Sequence, residues 1–87
     1  MAEQKLLMEV LQTKIVEDGV YSFLRIQFRK LEYFAIAVEE AEDSAMALFG
    51  TDYALAQGWF ETVVSEALAA IHLEDYAKDC AYEAEFF

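Results

Sequence analysis

At 87 residues, 57% apolar and 15% aromatic, the chain is sized for one domain and has enough core-forming side chains to exclude wholesale disorder. The absence of proline, with only three glycines and one cysteine, excludes collagen-like, linker-rich and disulfide-stapled classes. Seventeen acids against six bases leave a net charge of -11, which disfavours direct nucleic-acid binding and adhesion to an anionic membrane.

From residue 6 to about 49 the apolar pattern mostly has period two. Residues 2–15 are also rich in helix formers, and Leu7, Val10, Leu11 and Ile15 fit a helical stripe. A strand is preferred there, because the Glu17–Asp18–Gly19 turn would otherwise have nothing to pair. Asp-Gly closing a three-residue loop suits a type I turn followed by a glycine bulge. That loop pairs Val16 with Val20, Val10 with Ile26 and Met8 with Phe28. A second loop at Lys30–Leu31–Glu32 would oppose Phe28 to Phe34, Ile26 to Ile36 and Leu24 to Val38. The alternative register, shifted by one, sets those same residues against Tyr33, Ala35 and Ala37, mixes the two sides and is set aside.

The expected core face therefore carries Met8, Val10, Leu24, Ile26, Phe28, Phe34, Ile36 and Val38. Glu32 and Glu39 bracket the Tyr33–Val38 run in the manner of gatekeepers against aggregation. Ser44–Phe49 reads either as a short fourth strand or as extended chain.

Two helices follow, at about 52–68 and 72–86. Thr51 or Asp52 can cap the first, and Leu55, Ala56, Trp59, Phe60, Val63 and Ala67 recur at helical spacing. The second carries a stripe of Leu73, Tyr76, Ala77, Cys80, Ala81, Ala84 and Phe87 opposite Glu74, Asp75, Lys78, Asp79, Glu83 and Glu85. Asp75 in its first turn suits the positive end of the helix dipole. The expected fold is a two-layer α+β domain spanning 1–87. It is an antiparallel meander of three or four strands with both C-terminal helices on one sheet face.

Charge divides along the chain. Residues 1–38 hold five acids and five bases, whereas 39–87 hold twelve acids against Lys78 alone. The longest apolar run, Tyr33–Val38, is six residues, against the roughly 18 or more that span a bilayer. No secretory leader is legible at the N-terminus, so a cytoplasmic setting with Cys80 as a reduced thiol is expected.

Candidate chemistry is thin. His72 beside Glu74 and Asp75 could act as a base or metal ligand, but it has no second histidine, nucleophile or ligand spacing to work with. It reads as the residue that starts the last helix. Cys80, on an apolar stripe near Asp79 and Tyr76, reads as a buried small hydrophobe rather than a reactive thiol. Glu39, Glu40, Glu42 and Asp43 are dense enough to suggest calcium, yet they lack EF-hand spacing and its glycine, and read as a solvated connection. No phosphate-binding glycine loop, nucleophile elbow, CxxC or HExxH occurs. No enzyme activity, metal or other cofactor is expected.

The opposite sheet face is the more informative feature. On the expected register it carries Leu11, Thr13, Ile15, Tyr21, Phe23, Arg25, Gln27, Arg29, Ala35 and Ala37. An exposed patch of Ile15, Tyr21 and Phe23 bordered by Arg25 and Arg29 has the make-up of a contact surface.

The order of features resembles a family of small uncharacterised domains from Gram-positive, largely clostridial bacteria. The matching segments are the Glu17–Asp18–Gly19 turn, Tyr33–Phe34–Ala35–Ile36, and Ala56–x–x–Trp59–Phe60–Glu61–x–Val63–Val64. The closing Ile71–His72–Leu73–Glu74–Asp75–Tyr76–x–x–Asp79 segment matches best. The resemblance covers about residues 5–80. The family often has a small polar or proline residue before the last helix, where this chain has Ala70–Ile71. It implies this fold and a bacterial cytoplasm, and it names no activity.

The function expected is thus a non-enzymatic protein-interaction or regulatory module. Its partner is a protein or a second copy, with self-association through the outer face centred on Ile15, Tyr21 and Phe23 and with Arg25 or Arg29 near the partner's Glu9. The alternative is an acidic nucleic-acid mimic, a decoy that occupies the site of a DNA- or RNA-binding protein.

Overall fold

The computed structural model describes residues 6–86, with side chains through Ala81. Phe87 and the side chains of Glu83, Ala84 and Glu85 of the expected second-helix pattern, and residues 2–5 of the expected first strand, lie outside the described set. Strands β1 (Leu6–Val16), β2 (Gly19–Phe28), β3 (Leu31–Glu39) and β4 (Ser44–Leu48) form one antiparallel meander in chain order. Helices α1 (Tyr53–Ser65) and α2 (Ala70–Phe86) follow and pack on one face, giving the α+β architecture. The first segment is a strand and Ser44–Leu48 is a paired fourth strand, which Phe49 extends by donating its N–H to the Phe34 carbonyl at 2.7 Å.

Both expected registers are corrected. The hairpin loops hold two residues each, Glu17–Asp18 and Arg29–Lys30, with Val16 opposite Gly19 and Phe28 opposite Leu31. Such loops match strand twist through left-handed backbone, which Glu17 (φ 55°) and Arg29 (φ 60°) supply. Gly19 therefore begins β2 instead of closing the turn. It is glycine because the Tyr21 ring lies over it: a Cβ there would meet that ring at 2.9 Å.

The β2–β3 register follows. Phe23 opposes Ile36, Tyr21 opposes Val38, and Leu24 and Ile26 oppose Ala35 and Tyr33. It has the face phase set aside on sequence grounds, with each β2 residue paired two positions earlier in β3 than that alternative gives. Residues directly opposite share a face, so Leu24 and Ile26 part from Phe34, Ile36 and Val38.

The helix side holds the main core. Phe23 is 1% exposed and sits at the centre of a ring cluster. Its centroid lies 5.8 Å from Phe34, 5.4 Å from Phe60 and 5.8 Å from Tyr53, with Phe23 and Phe60 stacked. Ala56, Phe60 and Val63 of α1 and Leu73, Ala77 and Cys80 of α2 close over Tyr21, Phe23, Phe34, Ile36 and Val38. These five side chains are the larger and more aromatic set, and helices bury most area by covering them.

One irregularity lets β1 serve both sides. Between Val10 and Gln12 the ladder shifts by one residue, leaving Leu11 as a bulge. A bulge advances side-chain alternation by one position. Leu11 and Val16 thereby pack against the helix-side core, while Met8 and Val10 lie opposite Ile26 and Leu24 on the other face.

Distant contacts tie the helices down. Asp52 caps α1, its Oδ1 accepting from Leu55 N at 3.1 Å. The α1 end closes with Ala67 left-handed (φ 48°), Ala67 N donating to Val64 O and Leu68 N to Val63 O. This is the double-bonded Schellman ending. The Tyr21 hydroxyl donates to Leu68 O at 3.2 Å across the core. Glu40, in the β3–β4 connection, accepts from Ala70 N at 2.7 Å and so caps α2.

Candidate interaction surface

Register fixes what faces outward. On the side away from the helices, β1 presents Leu6, Met8, Val10, Thr13 and Ile15, and β2 presents Val20, Ser22, Leu24, Ile26 and Phe28. From β3 come Leu31, Tyr33, Ala35, Ala37 and Glu39, and from β4 Ser44, Met46 and Leu48. Leu24, Ile26 and Ala35 form a second apolar cluster, already buried by its neighbours at 4%, 7% and 0% exposure, with Tyr33 and Ala37 packed on it. Around that centre the flanking side chains stand in water: Val10 is 58% exposed, Leu48 55%, Met46 52% and Met8 51%.

An antiparallel sheet with one face in water ordinarily alternates apolar-in with polar-out. This sheet is apolar on both faces. Among the described residues its open side carries no lysine or arginine, and its one carboxylate, Glu39, stands at a corner opposite Ser44. A continuous apolar surface across four strands exceeds the scattered exposed hydrophobics normal for a monomer and has the character of a contact surface.

Of the five residues expected to form that surface, only Ile15 lies on it, 74% exposed. Tyr21 and Phe23 are corrected to the core at 3% and 1% exposure, because the two-residue loops reverse their face. Arg25 is on the helix side of the sheet and pairs with Glu9 of its own chain. Arg29 occupies the left-handed turn position, its guanidinium carbon 5.3 Å from the Phe28 ring centre. Met8, Val10, Leu24, Ile26 and Phe28 do share one face, as expected, but it is the face away from the helices. Two-residue loop parity is the signal that would have separated them from Phe34, Ile36 and Val38.

The remaining candidates have structural settings. His72 is exposed in the first turn of α2, its N–H donating to Ala69 O at 3.0 Å. Cys80 is buried beside Tyr76. Burial, and then the Cys80 thiol, push the Tyr76 phenol up to about 12. Tyr21 is also raised, by burial and then by Glu40 and Glu17, so it stays the donor that its bond to Leu68 requires. Among the described residues no group of three or more His, Cys, Asp and Glu converges where it could hold a metal ion. A groove of about 380 Å³ between the β4–α1 connection and α2 is lined by Phe49, Leu55, Trp59, Ala77 and Ala81. Its one carboxylate, Asp52, is engaged in capping α1.

No helix among the described residues is long and apolar enough to cross a membrane. No known family, curated protein or solved structure matches the chain.

Proposed function

We propose that this chain is a non-enzymatic protein-interaction module that works by burying its open sheet face against another protein in a cytoplasm. The observation that supports this is the uncharged apolar surface around Leu24, Ile26 and Ala35, flanked by Met8, Val10, Met46 and Leu48. Apolar sheet surface is stabilised only when water leaves it, at about 25 cal/mol per Å². The helix layer already supplies the fold with a core, so this second surface is free to serve a contact.

The test compares two baits. Val10→Lys together with Leu48→Lys places two ammonium groups on the face at positions already exposed, so folding by far-UV circular dichroism should be unchanged. Captured from native cytoplasm, the wild-type bait should retain a partner that the double variant loses. Identical captures from both baits would refute the face as the working surface.

A second reading, the acidic decoy, is favoured by the outer side of α2. Glu74, Asp75 and Asp79 are exposed there, and the only cation is Lys78, 3.7 Å from Glu74. Contacts of that kind weaken steeply as salt rises, whereas apolar burial does not.

A further inference from the structure

We infer that the open sheet face is covered by a second copy of this chain, the two sheets stacking face to face about a two-fold axis. The inference rests on the interaction-module reading and names its partner.

Area is the first argument. At about 3.3 Å per residue and about 4.8 Å between strands, the four strands cover about 550 Å² in plan, before side-chain relief is counted. Stable interfaces bury about 800 Å² of accessible surface per partner. The face is therefore of the size one like-sized sheet would fill, with no large remainder.

Charge is the second. A protein of net charge -11 should repel its own copy. Among the described residues the open face, however, carries only Glu39, at the corner where Glu42 and Asp43 of the β3–β4 connection also stand, and Glu74, Asp75 and Asp79 of α2 are exposed on the helix layer. Stacked sheets lie about 10 Å apart and each helix layer adds about 10 Å, so the two acidic layers would stand about 30 Å from one another. Physiological salt screens charge over about 8 Å. Repulsion at that separation is largely removed, and the uncharged faces meet without stranding an ion in the contact.

The edges supply the third. Sheets can also associate by pairing edge strands, but β4 is five residues long and β1 is bulged at Leu11. Short and bulged edges resist such pairing. The face remains, and a two-fold contact through one shared surface closes at two copies instead of growing into a fibre.

The test is the solution mass of the full chain. Sedimentation equilibrium at micromolar concentration should give twice the chain mass. Val10→Lys with Leu48→Lys should weaken association about a hundredfold while leaving the far-UV spectrum unchanged. Ile71→Lys, at an exposed apolar position on α2, should leave the dimer intact. Should the double variant not fold, pyrene attached through Met46→Cys, with Cys80 buried, provides a second measure. Excimer emission that fades on dilution supports the stacked faces, and monomer emission alone overturns them. A monomeric wild type, or a dimer indifferent to the double substitution, also overturns the inference. If a monomeric wild type captures a different partner that the double variant loses, only the second copy is refuted. If the captures are also identical, the interaction reading fails with it.

Discussion

Helix α1 carries a glycine in its interior and an alanine at its left-handed end. Gly58 has open space where a Cβ would stand, so nothing in the packing requires glycine there. A mid-helix glycine costs about 0.5–1 kcal/mol relative to alanine. Ala67 holds φ 48°, where an L side chain costs about 1–2 kcal/mol and glycine does not. Gly58→Ala and Ala67→Gly should therefore each raise stability by about 0.5–1 kcal/mol, read as a higher urea midpoint at unchanged slope. A lower midpoint for Ala67→Gly would show that the Schellman geometry is not adopted. Neither residue announced itself in the sequence: Ala67 joined the helical stripe because its spacing fits, and spacing carries no information about φ. Gly19 misled in the opposite sense. Asp-Gly signals a turn, but this glycine is a floor for Tyr21, a contact that exists only after the strand has formed.

At the scale of elements, type was legible and phase was not. Period-two runs and helical stripes placed the strands and helices, since those periodicities arise within each segment. Which face a strand presents depends on loop length counted to the single residue, and β1 changes phase at Leu11 with no glycine to mark it. The expected contact residues Tyr21 and Phe23 went astray for that reason alone. The start of α2 also depends on a distant segment. Glu40, expected in a merely solvated connection, accepts from Ala70 N thirty residues on. Because a carboxylate at a helix N-terminus satisfies an orphan donor and faces the positive dipole end, Glu40→Ala should lower stability by about 1–2 kcal/mol and Glu40→Gln by less. Thermal melts with amide exchange would check it, with protection lost first at Ala70–Leu73. Unchanged protection there would show that the cap is inert.

For the whole molecule, the balance of charge and apolar area gives a sign that separates the two functional readings. Moving from 0.01 to 0.1 M salt shortens the screening length from about 30 to about 10 Å. Two acidic layers about 30 Å apart repel at the first and scarcely at the second, so the association constant of the stacked pair should rise on the order of tenfold or more. A decoy bound to a basic partner would weaken over the same range. Sedimentation across a salt series reads the direction. The sequence made this asymmetry visible as an even balance through residue 38 and twelve acids after it. It could not show that both helices, with Glu74, Asp75 and Asp79, would lie on one side of the sheet, because that depends on which face the helices choose.

The sheet precedes its helices in the chain, and synthesis follows that order. At about 5–20 residues per second, residues 53–86 take a few seconds to appear after β4 is complete. For that interval both faces are uncovered, Phe23 and Phe34 on one and Leu24 and Ile26 on the other. The stretch through Val38 that builds most of the sheet is electrically neutral, so nascent chains on neighbouring ribosomes gain little mutual repulsion until the acidic half emerges. A finished molecule has one surface to pair. A half-made one has two, so slower translation through the helices would favour misassembly over correct docking.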